Sequence, residues 1–205
     1  EDAIERLGFL RWEGESALIS GLGAEAVAEA LGRAPGPQTD FAQPIPGGPY
    51  DLIVSLGELD TINDLPGALI HLRHALAPGG LLIASFVGAG SLPMLRQAML
   101  AADGDRPAAR IHPQIESRAM SGLLARAGFQ RQVVDEHSLH VRLTSFGQLI
   151  EDIRDQGLSN VLADQALGLD HAAHGRAAAA FAALADGAGK TSERFEVITL
   201  TAWKD

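Results

Sequence analysis

No cysteine occurs among the 205 residues, which excludes disulfides, thiolate metal sites and a cysteine nucleophile. Aromatic residues are scarce at 5%, so the core has to be built mainly from leucine, alanine and other aliphatic side chains. Positive charge is in deficit: 16 Lys and Arg face 26 Asp and Glu, a formal charge of −10. A field of that sign repels phosphate, which argues against a general binder of nucleic acid or anionic membrane. No run reaches the ~18 apolar residues that a membrane span requires. The longest, residues 81–95, is interrupted by Gly88, Gly90 and Pro93. There is no Gly-x-Ser-x-Gly elbow and no phosphate loop ending in Gly-Lys-Ser/Thr, so the sequence offers no signature of a serine hydrolase or nucleoside triphosphatase. No signal peptide is visible from Glu1 onward, and a cytoplasmic location is the default expectation. The chain begins without a methionine, so a leader ahead of Glu1 lies beyond this reading.

What is present is organised around residues 50–86. Residues 52–54 form an apolar run too short for a helix and suited to a strand buried on both faces, as in a parallel sheet. Pro66 stands where a helix can begin, because a missing N–H costs nothing in a first turn. Leu65, Leu69, Leu72 and Leu76 then recur as one helical stripe. Pro78-Gly79-Gly80 stops that helix, and residues 81–86 supply a second buried strand. Strand, helix and strand at this spacing predict a right-handed βαβ crossover.

Around it the pattern alternates. Residues 1–12 predict an amphipathic helix, 17–19 a first strand and 24–31 a helix after Gly21-Leu22-Gly23. Residues 32–49 are rich in Pro and Gly and predict loop, with at best one short strand near 39–42. Helices are expected over 91–102, 116–127, 145–156 and 172–185, and a further turn over 160–166. Strands are expected over 132–141, broken near His137, and over 195–203. Together these predict one doubly wound α/β domain over the whole chain.

Several of these pieces, taken together, carry a resemblance. P-Y-D-L-I-V-S, N-D-L-P-G-A-L, L-A-P-G-G-L-L-I-A-S-F and L-L-A-R-A-G-F at 123–129 resemble class I S-adenosylmethionine-dependent methyltransferases, in that family's order. R-I-H-P at 110–113, L-I-E-D-I-R and G-L-S-N over 149–160 and F-E-V-I-T-L-T-A-W-K at the end are similar to one branch. That branch holds the malonyl carrier-protein O-methyltransferase of biotin synthesis and the mitochondrial complex I assembly factor with a methyltransferase fold. The resemblance implies a Rossmann-like sheet of seven strands, mostly parallel with an antiparallel last strand. It also implies a helical cap, residues 145–186, inserted before that strand on the acceptor side.

The same resemblance implies S-adenosylmethionine as cofactor, bound by Gly21, Gly23, Asp40, Phe41, Leu56, Gly57 and Glu58. Leu56, Gly57 and Glu58 also stand at the end of a strand at the switch-point face, where ligands sit in such sheets. Arg110, His112 and Arg118 are candidates for holding an anionic acceptor, since arginine grips carboxylate or phosphate with two parallel donors. Three H-x-x-H pairs, His71/His74, His137/His140 and His171/His174, have no third ligand at a recognised spacing, and no metal site is expected. The sequence also departs from the family pattern. Ile19 stands where an acid is usual, Glu25 replaces a third glycine, and 32–49 is too short for the usual strand and helix. A methyl-transferring enzyme with a small-molecule or protein acceptor, and a non-catalytic assembly factor or scaffold on the same fold, are therefore both open readings.

Overall fold

In the computed structural model, which describes residues 1–164 and 166–205, the chain divides into two compact units. The first comprises Glu1–Phe86, Ile115–Glu136 and Ile198–Asp205, the second Val87–Gln114 and His137–Val197. Of the turn expected over 160–166, Gln165 lies outside the described residues.

The first unit contains α1 (Asp2–Leu10), β1 (Ala17–Gly21), α2 (Ala24–Ala30), β2 (Tyr50–Leu56), α3 (Leu65–Ala75) and α5 (Ser117–Ala127). It also holds most of β3 (Leu76–Gly88) and parts of β4 (Arg131–Leu143) and β5 (Thr191–Trp203). The strand order is β1-β2-β3-β5-β4, and β1, β2 and β3 run parallel. The last strand is antiparallel: Gly79 N–H donates to Lys204 O at 2.6 Å and Lys204 N–H to Gly80 O at 3.0 Å. The fold is therefore the expected α/β, Rossmann-like one.

Both faces of the parallel strands are covered, which explains why their sequences read as continuous apolar runs. One face packs Ile19, Leu52, Val54 and Ile83 against Leu7 of α1 and Val27 of α2. The other packs Leu18, Ile53, Leu82 and Ala84 against Leu69 and Leu72 of α3 and Met120 and Leu124 of α5. Asp64 caps α3, its side chain accepting from Gly67 N–H at 2.9 Å, so the helix begins at Leu65, one residue ahead of Pro66.

Three expectations are corrected. Among the described residues the sheet has five strands, not seven. Residues 39–42 form a turn and not a short strand, because Asp40 folds onto its own backbone, with Oδ1 accepting from Ala42 N–H at 3.0 Å. β4 runs through His137 as one assigned strand. Pro78-Gly79-Gly80 lies inside the bounds of β3 but still acts as punctuation. The register jumps there from Tyr50↔Leu76 to Leu52↔Leu81, the irregularity of a bulge.

Residues 32–49 do structural work in place of the missing elements. Gly36 N–H donates to Ile19 O at 2.8 Å on β1, an edge strand. Phe41 is only 1% exposed and lies in the core with Leu18, Leu69 and Leu72. A lone aromatic carried on a loop thus fills space that a helix and strand fill by pattern. In the second unit, α4 (Pro93–Asp103), α6 (Phe146–Asp155) and α7 (His171–Ala182) share a core of Leu95, Ala98, Leu149, Ala177 and Phe181.

The buried position of Phe41 gives the first prediction. Phe41→Ala should lower stability in urea by about 3–5 kcal/mol, the usual cost of emptying an aromatic site in a core. A loss below about 1 kcal/mol would show that the segment merely rests on the sheet.

Candidate functional site

β1 and β2 are hydrogen-bonded in parallel with Ser20 opposite Ser55, one residue from the end of each strand. Both serines are buried, at 1% and 0% exposure. They share an acceptor. Glu58, two residues beyond β2, turns back so that its Oε2 accepts from Ser20 Oγ at 2.7 Å and from Ser55 Oγ at 3.1 Å. Its Oε1 is buried with no partner at hydrogen-bond geometry. The Thr39 backbone N–H also acts on the carboxylate.

Burial pushes the Glu58 carboxyl above the usual glutamate range, and the two hydroxyls and Thr39 N–H only partly oppose this. The nearby charge that acts on it is Asp60, of the same sign. This is a half-buried, partly desolvated carboxylate held by neutral donors.

Gly21 closes β1 at φ +94°, and Leu22 N–H donates to Leu56 O at 2.8 Å. A Cβ on Gly21 would fall 2.0 Å from Leu56 O, so the strand crossing itself demands glycine there. Gly23, at φ +81°, begins α2 and differs: a Cβ there would meet nothing within 4 Å. One glycine of the turn is thus required by the fold, while the other faces open space. Gly57 continues β2 with its N–H on Ser85 O at 2.7 Å, and Leu56 is half-buried.

Glu25, the acid at the third glycine position, is exposed on the first turn of α2. The acid held among the strand ends is the half-buried Glu58. Ile19 is 1% exposed and contributes to the core. Asp40 caps its own turn, and Phe41 is enclosed, its carbonyl 3.2 Å from His71 Nδ1. The structure therefore brings Gly21, Gly23, Leu56, Gly57 and Glu58 to one end of the parallel strands. Asp40 and Phe41 lie on the segment whose Thr39 acts on Glu58.

The proposed acceptor residues fall in different units. In the second, Arg110 pairs with Asp103 at 2.6 Å and donates to Leu167 O at 2.5 Å. That pairing holds the Asp103 carboxyl below its usual range. Asn160, from the G-L-S-N signature, donates to Ala109 O at 2.9 Å. The family-like motif thus fastens the segment that carries Arg110. His112 is buried at 7% exposure with Nδ1 unpartnered. Arg118 belongs to the first unit, is exposed and pairs with Glu116. Among the described residues no group of three or more His, Cys, Asp or Glu is placed to hold a metal, and no helix is long and apolar enough to cross a membrane.

Sequence reasoning missed Ser20, Ser55 and Thr39. A signal was present: both neighbouring strands end in an apolar run closed by one serine, and parallel pairing places those serines side by side.

A family model described as "Methyltransferase domain" matches residues 9–134, which include β1, its glycine turn and the β2–α3–β3 crossover. The chain belongs to this methyltransferase domain family. It is 32% identical over 161 residues to malonyl-[acyl-carrier protein] O-methyltransferase of Xylella fastidiosa, covering 78% of this chain and 54% of that protein. It is 29% identical over 159 residues to arginine-hydroxylase NDUFAF5, mitochondrial, of Danio rerio, covering 76% and 50%. For the Rattus norvegicus protein of that name the identity is 32% over 120 residues, 57% of this chain and 35% of the relative. The chain thus spans from about a third to about half the length of these relatives. Among solved structures, a candidate methyltransferase of Bacillus halodurans superposes with a TM-score of 0.55 over 98% of both chains at 15% identity. At that identity the likeness is one of fold.

The state of Glu58 gives a second prediction. A carboxyl raised above its unfolded value stabilises the fold at pH below the unfolded pKa, and that contribution is lost as pH rises through the folded one. Glu58→Gln should therefore raise the melting temperature at pH 8 by a few degrees and change it little at pH 4. A gain at pH 4 that vanishes at pH 8 would mean that the carboxylate already has a counter-charge.

Proposed function

We propose that this chain is an S-adenosylmethionine-dependent methyltransferase domain, with the donor bound over the Gly21–Gly23 turn. The observation that carries the reading is Gly23: it holds a left-handed conformation facing open space, within the matched family region and at the carboxyl ends of parallel strands. Ligands of open α/β sheets bind at such strand ends. The residues there suit the amino-acid end of the donor. Backbone N–H groups of the turn can approach it without a side chain intervening, and Glu58 supplies a carboxylate. Asp40, bonded to its own turn, is the acid on the segment nearest in sequence to where a ribose contact is usual.

When bound, S-adenosylmethionine supplies an electrophilic methyl group on a sulfonium. The chain's task is then to hold donor and acceptor in line and exclude water. No general base is assigned, and one is needed only if the acceptor must lose a proton. The name of the Xylella fastidiosa relative suggests an acceptor carried on a protein.

A second reading, a non-catalytic scaffold that works through a protein partner, is favoured by one observation. The 32–49 segment is pinned to β1 through Gly36 and to the core through Phe41, where the resemblance leads one to expect an additional strand and helix.

Calorimetry separates the two. S-adenosylhomocysteine should bind the unmodified chain in the micromolar range. Gly23→Ala should fold, at a cost of roughly 1–2 kcal/mol for an alanine in a left-handed conformation, and should weaken binding tenfold or more. An unchanged affinity in that variant would place the ligand elsewhere, and no binding to the unmodified chain would favour the scaffold.

A further inference from the structure

The three H-x-x-H pairs take no part in the proposed site, and the fold sorts them. His137 and His140 lie on β4, where an odd spacing sends the side chains to opposite faces. His171 opens α7, and His174 sets its ring edge-on to Phe146, with 5.4 Å between centroids. His71 and His74 lie in the C-terminal half of α3, and on a helix that spacing puts both side chains on one face. Both line the same cavity of about 570 Å³ in the first unit. Its other walls include Ile70 of α3 and Pro44, Ile45 and Pro49 of the 32–49 segment. The chain builds these walls itself. Tyr50 Oη donates to Pro46 O at 2.8 Å, and a Cβ on Gly48 would fall 2.8 Å from Ala75 O at the end of α3. His71 is held from the same segment, its Nδ1 3.2 Å from Phe41 O. A carbonyl can only accept, so Nδ1 carries the proton and the neutral ring keeps its lone pair on Nε2. A backbone carbonyl that fixes tautomer and orientation in this way is the usual outer partner of a metal-binding histidine.

We infer that His71 and His74 form a two-nitrogen site for a transition-metal dication of the class of Cu(II), Ni(II) and Zn(II). Two imidazoles are too few for a closed structural site, which takes four protein ligands, so this one is open and water fills its remaining positions. The surroundings select the kind of ion. Lys204 Nζ donates to His74 O and Leu76 O at 3.4 and 2.5 Å, so the carbonyls at the end of α3 already have a cation. Arg73 points away, its Nε donating to Gly128 O at 2.8 Å. No carboxylate is among the described residues that line the cavity. A hard ion such as Mg²⁺ or Ca²⁺, which seeks oxygen, finds no ligand there, whereas an ion that prefers imidazole does. The nearby ammonium and the short ligand set keep the affinity in the micromolar range. A metal on Nε2 would also polarise the Nδ1–H and strengthen its bond to Phe41 O, fastening the 32–49 segment to α3. This inference is independent of the donor-binding reading.

The test is a calorimetric titration of the untagged, chelator-stripped chain near neutral pH with Cu(II), Ni(II) and Mg(II) in turn. One equivalent of Cu(II) or Ni(II) should bind in the micromolar range, Cu(II) the tighter, and Mg(II) should give no measurable heat. His74→Gln should weaken Ni(II) binding tenfold or more. His74 is exposed and its replacement leaves the bond from His71 to Phe41 O in place, so this variant should fold. His140→Gln and His171→Gln should bind as the unmodified chain does. Electron paramagnetic resonance of the Cu(II)-loaded chain should show two imidazole nitrogens on the ion, and one in His74→Gln. Unchanged Ni(II) affinity in His74→Gln overturns the assignment, and so does an equal loss in His140→Gln or His171→Gln. Failure of the unmodified chain to take up one equivalent of either Cu(II) or Ni(II) overturns the site altogether.

Discussion

Two serines and one glutamate join the ends of the first two strands, and the candidate site depends on that junction. The register that sets Ser20 beside Ser55 also sets Gly21 against Leu56, where no side chain fits. Once that crossing is fixed, the turn that follows has one position bound by the fold, Gly21, and one free, Gly23. Glu58 then closes the corner from the far side of β2. A neutral side chain could take the same two hydroxyl bonds without the desolvation of a charge. Here the acid sits where burial opposes ionisation and the two hydroxyls only partly offset it.

The second constraint is economy of chain between β1 and β2. In 32–49 a loop performs what the resemblance assigns to regular elements: a backbone bond to the edge of β1, a buried aromatic in the core and a capped turn at Asp40. The second unit is built differently, from three helices around a small aliphatic and aromatic core. Its family-like signature acts locally, with Asn160 and Arg110 stitching the 104–114 segment to the residues around Leu167.

Much of the fold was legible in the residues. The leucine stripe at 65–76, the Pro66 start and the apolar runs at 52–54 and 81–86 gave the crossover, because a strand buried on both faces and a helix buried on one have different periods. The last strand's pairing direction came from the resemblance and not from periodicity. What was not legible were effects of neighbours distant in sequence. Nothing local marks Phe41 as a core residue, and Asp40 reads equally as ligand contact or turn cap. Glu25 stands out by its place in the motif, yet helix phase turns it outward, while Glu58 is held by groups 38 and 3 residues away. Arg110 reads as a free arginine until Asp103 is seen beside it.

The junction of the first two strands turns on one half-buried carboxylate held by neutral donors. Its most direct test is the ¹³C side-chain titration of Glu58 in the free protein. A midpoint above the ordinary glutamate range is expected, because burial outweighs the two serine hydroxyls and the Thr39 N–H. A midpoint at or below that range in the free protein would contradict it, because some group of the chain would then already be neutralising the charge.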